Sequence, residues 1–159
     1  METGIRRQVE FKVPGLPKPA GSKRAITIPG RKFSQIIDDS KNKPWIKTVQ
    51  QYAVLNWGKD VPSSREFQMQ LTFILPRPKA HYRADGSLKT GAPGRHAKKP
   101  DATKLTRCVE DALTGIVWVD DAQVVHQSIA KTYSDDRWTG VFIRVRELEP
   151  CLIHNPKTK

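Results

Sequence analysis

Alternating apolar and polar residues predict the strands of this chain. Every second residue of Phe67–Leu75 is apolar, which is typical of a strand with one buried face. Weaker alternation predicts strands over residues 8–13 and 141–146, and residues 25–28 predict a short hairpin arm. Residues 123–133 also predict a strand, followed by turn residues 134–140. We therefore expect residues 123–133 and 141–146 to form an antiparallel hairpin.

Three- and four-residue spacing of apolar positions predicts two helices. The first covers Lys43–Trp57, with Pro44 in its first turn. Its expected core face consists of Trp45, Val49, Tyr52, Ala53 and Asn56. The second helix begins after Asp101, whose carboxylate is expected to cap free backbone N–H groups, and ends at Gly115. Its apolar face consists of Leu105, Cys108, Val109, Ala112 and Leu113, opposite a face of Thr103, Arg107, Glu110 and Thr114.

These elements predict an α+β fold with a mixed sheet and two main helices packed on it. At 159 residues the chain is long enough for one small domain, which we assign to residues 1–150, with a polar tail at 151–159. It contains no apolar run near the roughly 18 residues of a membrane span and no signal-peptide core. The two cysteines have no metal-binding spacing, so we expect a reducing cytoplasm.

A net charge of +12, from 28 Lys+Arg against 16 Asp+Glu, favours a nucleic-acid partner over a membrane surface. Residues 12–33 contain six cations and no acid, and we expect them to contact the DNA backbone. A flexible solvated arm is the alternative. Residues 76–99 form a long basic loop, expected to be mobile until DNA binds, although it can also be a spacer.

An acidic segment interrupts this basic chain. Five acidic residues lie between Asp101 and Asp121, against only Lys104 and Arg107. Carboxylates that hold a hydrated divalent cation beside a bound polyanion would explain this segment, and caps of a solvated helix are the alternative. Asp101 and the pair Asp120 and Asp121 belong to separate elements, which we expect to converge. The four histidines are scattered and predict neither a zinc site nor a catalytic triad.

The same segment resembles the signature of a nuclease family. The resemblance rests on Lys99-Pro100-Asp101, Asp111-Ala112-Leu113-Thr114-Gly115, Trp118 and Asp120-Asp121-Ala122-Gln123-Val124-Val125. In this order these motifs resemble the RusA family of small Holliday junction resolvases, many of them encoded by phages and prophages. The resemblance implies a homodimer that binds branched DNA, requires Mg²⁺ or Mn²⁺, and resolves four-way junctions by paired symmetric nicks.

The resemblance also implies site residues. Asp101 and Asp121 match family aspartates, and with Asp120 they are the expected metal ligands. Thr103 stands where the family has a second aspartate, and Arg107 stands where it has a lysine. Glu110 lies about 10 Å along the helix from Thr103, too far to replace that carboxylate directly, so Asp111 and Asp120 are better candidates.

Arg107 and Thr103 are expected to act on the substrate. Arg107 is expected to clamp the scissile phosphate, and Thr103 is expected to position a water. The expected DNA contacts are Lys18, Lys23, Arg24, Arg31, Lys32, Arg77, Lys98, Lys99, Lys104 and Lys131.

Two alternatives stay open. Thr103 also suits a DNA-binding protein of the same fold that has weakened or lost catalysis. A metal nuclease with another branched or flap substrate is the second alternative.

Overall fold

The computed structural model describes residues 4–21, 24–27, 34–37 and 40–150 as a single small α+β domain. Its strands are β1 (Ile5–Pro14), β2 (Arg24–Thr27), β3 (Ser34–Ile37), β4 (Phe67–Leu75), β5 (Val124–Tyr133) and β6 (Gly140–Leu148). Its helices are α1 (Lys43–Trp57) and α2 (Ala102–Leu113), with short 3-10 turns at Ser40–Asn42, Lys79–His81 and Asp121–Gln123. The expected fold class is confirmed. No described helix is long and apolar enough to cross a membrane.

The main sheet has the strand order β1-β6-β4-β5. β6 pairs antiparallel with both β1 and β4, whereas β5 pairs parallel with β4. The predicted hairpin of β5 with β6 is therefore wrong. β4 pairs along both of its edges, so it lies between β5 and β6. The connection after β5 crosses the end of β4, where the backbone N–H of Ser134 donates to Leu75 O at 2.8 Å.

The predicted short hairpin is confirmed, because β2 pairs antiparallel with β3 in a separate two-stranded sheet. Three of the predicted DNA contacts, Lys23, Arg31 and Lys32, lie outside the described residues. The predicted tail at 151–159 also lies outside them.

The core lies between one face of the main sheet and the two helices. Alternate side chains of β4, all five of them buried, form the centre of the sheet's contribution. α1 has the predicted bounds and buries Trp45, Val49, Ala53 and Trp57, while the expected Asn56 is exposed. α2 buries Leu105, Thr106, Cys108, Val109, Ala112 and Leu113. The chain then turns at Gly115, whose φ of 82° is easily reached only by glycine.

The basic loop after β4 has a defined path along the domain. The Arg77 side chain is only 3% exposed, and its guanidinium donates to Ser134 O, Pro93 O and Asp135 Oδ1 at 3.1, 2.7 and 2.7 Å. Further along, His96 N donates to Lys131 O at 3.0 Å. Arg77 is thus an anchor of the loop, and the DNA contact and mobility expected here stay predictions.

Candidate active site

Asp101 precedes the first residue of α2 and is exposed. Its backbone carbonyl accepts the Leu105 N–H at 3.1 Å, as expected of an N-cap residue. Its side chain, however, makes no capping hydrogen bond. The prediction that this carboxylate caps the helix is therefore wrong, and the carboxylate oxygens are left for another partner.

Lys131 on β5 fixes the segment that leads to Asp101. Its Nζ donates to the carbonyl oxygens of Lys98 and Pro100 at 2.8 and 2.7 Å. These two bonds use most of the donor capacity of the ammonium. The C-terminal half of β5 therefore lies beside the N-terminus of α2.

The turn that carries Asp121 is fastened at the other end of β5. Gln123 Oε1 accepts the backbone N–H groups of Val119 and Asp120 at 2.9 and 2.8 Å. Its Nε2 donates to Ser63 O and Arg65 O, just before β4 begins. The carboxylate of Asp120 closes the same turn by accepting the Ala122 N–H at 2.8 Å. Asp121 is exposed at the tip of this turn.

Gln123 is a positioning residue that the sequence reasoning did not recognise. A signal for it is present, because an aspartate followed three residues later by glutamine is the pattern of a capping box. The structure contains this box at Asp120 and Gln123.

Glu110 is the carboxylate whose pKa responds to the charge of Asp121. It is half-buried on α2 and accepts a hydrogen bond from Gln127 Nε2 on β5. Burial raises its pKa, and the negative charge of Asp121 raises the pKa further, against the opposing effects of the Gln127 bond and the Arg107 charge. Glu110 lies about 10 Å along the helix from Thr103, and its electrostatic partner is Asp121 instead.

These contacts place Asp101 and Asp121 at opposite ends of α2. β5 contacts Glu110, in the last turn, through Gln127 and the residues before Asp101 through Lys131. A helix of 12 residues is about 18 Å long, and four strand residues span roughly 13 Å. The expected convergence of Asp101 and Asp121 is therefore not seen within one chain. Thr103 and Arg107 are exposed on α2 between them.

The profile of the family described as Endodeoxyribonuclease RusA matches residues 14–146. This chain belongs to the RusA family. The matched range includes every described residue of the candidate site. A similar protein, the uncharacterized protein YqaN of Bacillus subtilis (strain 168), is 27% identical over 141 residues, which cover 86% of this chain and 95% of YqaN.

Membership of the RusA family indicates an endodeoxyribonuclease and, at the level of the family, resolution of Holliday junctions and binding of branched DNA. For a metal ion, the donor chemistry fits: Asp101 and Asp121 offer exposed, hard carboxylate oxygens of the kind that Mg²⁺ prefers. Among residues 4–21, 24–27, 34–37 and 40–150, no group of three or more His, Cys, Asp or Glu side chains is placed to hold a metal.

Four of the lysines predicted to contact DNA lie around the N-terminus of α2. Lys98, Lys99 and Lys104 are exposed next to Asp101, and Lys18 is exposed on the segment after β1. Ala20 N donates to Lys104 O at 2.8 Å, which holds that segment against α2. Arg24 belongs to β2.

Proposed function

We propose that this protein is a Mg²⁺-dependent homodimeric endodeoxyribonuclease that resolves four-way DNA junctions by paired symmetric nicks. The observation that carries the proposal is the RusA-family match over residues 14–146, which includes Asp101 and Asp121. Both aspartates are exposed, and no hydrogen bond or ion pair within the described ranges occupies either carboxylate. Buried or paired carboxylates would be structural, whereas these two are free to bind an ion.

Asp101 and Asp121 are the candidate carboxylate ligands for Mg²⁺, and Mn²⁺ would substitute for it. When bound, the ion supplies Lewis-acid stabilisation of charge on the phosphate and lowers the pKa of a water. Asp120 is a weaker ligand candidate, because one of its carboxylate oxygens already caps the turn. One or two carboxylates are sufficient, since Mg²⁺ in proteins usually keeps several waters.

Arg107 and Thr103 act on the substrate from the exposed face of α2. The guanidinium of Arg107 clamps the scissile phosphate with paired charge-assisted hydrogen bonds. It stays charged at every physiological pH, so it stabilises negative charge and does not act as the general acid. The hydroxyl of Thr103 orients a water at the site.

The exposed cations Lys18, Lys98, Lys99 and Lys104 neutralise backbone phosphates on both sides of the cut. Such contacts position the duplex without reading its sequence, so selectivity comes from the shape of the junction. Binding should therefore weaken steeply with added salt, because each neutralised phosphate releases counterions.

The test is cleavage of a labelled four-way junction in Mg²⁺ or Mn²⁺ by wild type, Asp121→Asn and the control Asp60→Asn. Asp60 is a matched control, because it is an exposed aspartate whose contact is a 3.6 Å surface ion pair with Arg7. We expect symmetric nicks from wild type and Asp60→Asn, and at least a 100-fold loss of rate in Asp121→Asn because a metal ligand is removed. Junction binding without cleavage in either metal would overturn the nuclease proposal.

The second candidate function is binding of branched DNA without catalysis, and Thr103 is the observation that favours it. Thr103→Asp distinguishes the two, since it adds the carboxylate that the family has at this position. For a nuclease with a weakened site, the variant cleaves at a lower Mg²⁺ concentration than wild type. For a binding protein, wild type is inactive at every Mg²⁺ concentration. A flap substrate and a four-way junction in competition identify the preferred DNA structure.

A further inference from the structure

The main sheet has a second face, which points away from the two helices. Odd-numbered residues of β4 and β6, such as Leu71 and Ile143, are buried in the core on the helix side. Because side chains alternate along a strand, the even-numbered residues point the other way. We call this surface the open face. It consists of Gln8, Glu10 and Lys12 of β1, Phe142, Arg144 and Arg146 of β6, and Gln68, Gln70 and Thr72 of β4.

Two aromatic rings lie side by side on the open face. Phe142 is 37% exposed and is paired with Lys12 and Thr72 on the neighbouring strands. The half-exposed Trp138 packs against it, with ring centroids 5.4 Å apart and ring planes inclined by 59°. The Nζ atom of Lys12 lies 4.7 Å from the centroid of the Phe142 ring. The solvated face of a sheet is normally polar, so an aromatic pair is unusual there.

Gly140 allows the Trp138 ring to lie directly on β6. A Cβ atom at residue 140 would lie 2.6 and 2.8 Å from two atoms of the indole, so any other residue there would displace the ring. The backbone N–H of Trp138 donates to Asp136 Oδ1 at 3.0 Å, which fixes the preceding turn. Covering a strand glycine explains Trp138 as a structural residue. It does not explain Phe142, which lies on the opposite side of the sheet from the core.

The open face carries three cations and one carboxylate. Arg144 donates to Glu10 Oε1 at 2.6 Å and to Gln70 Oε1 at 2.9 Å. Arg146 donates to the side-chain oxygens of two other glutamines at 2.6 and 3.4 Å. Each guanidinium has five N–H donors, so these contacts hold both groups in place and leave donors for a ligand. Together with Lys12, the excess of positive charge suits a polyanion.

A depression on this face has the size of a nucleotide site. Its volume is about 570 Å³, and its lining includes Lys12, Gln70, Phe142 and Arg144. Pockets that bind small molecules in proteins usually have volumes of about 300–1,000 Å³. The depression therefore combines an aromatic ring, fixed hydrogen-bond donors and positive charge in a space that one nucleotide can occupy.

We propose that the open face binds single-stranded DNA, with an unpaired base stacked on Phe142 beside Trp138 and the neighbouring phosphates held by Lys12 and Arg146. In a duplex the bases stack on one another, so only an unpaired base can lie against an aromatic side chain. Every base has a flat π face, and we therefore expect little sequence preference.

Lys12 changes its partner when the strand binds. Its ammonium now lies over the ring of Phe142, and a cation–π contact at an exposed site is weaker than the stacking of a base. The lysine side chain is exposed and flexible, so it can move aside. A base then takes its place on the ring, and the ammonium binds the adjoining phosphate.

This binding surface is separate from the candidate active site. Asp101 precedes α2, which packs on the other face of the sheet. Binding of a single strand to the open face needs no metal, so the proposal does not rest on the proposed nuclease. Branched DNA with an unpaired segment would gain a contact that a fully paired junction lacks.

Stacking is tested by tryptophan fluorescence in EDTA with a short oligothymidine and with a duplex of the same length. Trp45, Trp57 and Trp118 are buried, so quenching by a bound base reports on Trp138. We expect quenching by the oligothymidine and none by the duplex. Trp138→Phe should still bind the oligothymidine, judged by fluorescence anisotropy of a labelled strand, but should lose the quenching.

Three results of this experiment would overturn the proposal. The first is wild-type fluorescence that the oligothymidine does not change, and the second is equal quenching by the duplex. The third is fluorescence that changes with protein concentration instead of with DNA, which would identify a second copy of the chain as the occupant of the open face.

The role of Phe142 is tested with Phe142→Thr and the control Ile5→Thr. Both variants replace an exposed apolar residue of a strand with threonine, which suits strands, and circular dichroism checks that both fold. Phe142→Thr should weaken oligothymidine binding by about 5- to 150-fold, the loss expected for one stacked base. Ile5→Thr should bind as wild type does. Equal affinity of Phe142→Thr and wild type would overturn the stacked base.

The salt dependence of binding gives a measurement that does not require Phe142→Thr to fold. Lys12→Gln should reduce the slope of log affinity against log salt concentration by about 0.7, the value for one phosphate contact on a single strand. Lys59→Gln is the control, because Lys59 is an exposed lysine in the loop after α1. Equal slopes for Lys12→Gln and wild type would show that the strand does not cross the open face.

Discussion

β4 and β5 are parallel neighbours in one sheet, yet their side chains have opposite surroundings. Every second residue of β4 is buried, from Phe67 to Leu75. In β5 only Tyr133 is buried, and the residues from Val125 to Ala130 are exposed. The backbone pairing of the two strands is continuous apart from the bulge. Backbone hydrogen bonding thus determines the position of both strands. Burial in the core explains the choice of side chains in β4 but not in β5.

The side chains of β5 are explained by what they hold outside the core. Gln127 contacts Glu110, and Lys131 binds the carbonyls that precede Asp101. The strand therefore connects the two ends of α2 that carry the candidate site. β4 contributes side chains to the core, whereas β5 contacts the residues of the candidate site.

The largest expected difference between the strands is in stability. Phe73→Ala empties a fully buried position of β4 and should cost about 3–5 kcal/mol of the free energy of unfolding. Ile129→Ala on β5 should cost less than about 1 kcal/mol in dilute protein, because that side chain is 38% exposed. Urea unfolding followed by circular dichroism measures both. Equal costs for both variants in dilute protein would contradict the difference drawn between β4 and β5.

The fold was predictable wherever burial leaves a pattern in the sequence. The bounds of β4 and α1 were predicted to the residue, because alternate apolar positions or a helical apolar face recur along them. The pairing of β5 was predicted wrongly, because exposed side chains do not indicate which strand pairs with it. A hairpin with β6 was the local choice, but β4 lies between the two strands instead.

The candidate site was likewise predictable only in part. The motif residues Asp101 and Asp121 were found because their sequence context is distinctive. Their placement at opposite ends of α2 depends on the parallel pairing of β4 with β5, and no local pattern encodes that pairing. The sequence around Gln123 contained a recognisable capping signal, whereas the electrostatic effect of Asp121 on Glu110 depends on the tertiary structure and has no signal in the spacing.

A medium effect is expected at the one charged residue of β5. Lys131→Met removes the hydrogen bonds to Lys98 O and Pro100 O. The free energy of unfolding should fall by about 1–2 kcal/mol. This is near the lower end for hydrogen bonds from charged donors, because Lys131 is half-exposed. The loss should be local, with faster exchange of the Leu105 amide in the first turn of α2. Lys89→Met is the control, since Lys89 is an exposed lysine of the basic loop that also contains Lys98. Equal exchange at Leu105 in both variants would show that Lys131 does not hold this segment.

The smallest expected effect concerns the C-terminal end of β5, where its one buried residue meets the basic loop. The ring of His96 packs on Tyr133 with centroids 4.6 Å apart. Burial lowers the pKa of His96, and the positive charges of Lys131 and Lys98 lower it further, against opposing backbone hydrogen bonds. An unfolded histidine titrates near about 6.5, so just below that pH the unfolded chain binds more protons than the folded one. Stability should therefore fall as the pH falls through this window.

The measurement is the urea midpoint at pH 7.5 and pH 5.5 for wild type, His96→Gln and the control His126→Gln. Carboxylates also respond to acid, so the difference between variants isolates the contribution of one histidine. We expect His96→Gln to lose less stability than wild type between the two pH values, because glutamine has no proton to bind. His126 is exposed on the same strand, and its variant should behave as wild type. Equal losses in all three proteins would mean that His96 is hydrated in the folded state, and that residues 94–96 cover the end of β5 through their backbone alone.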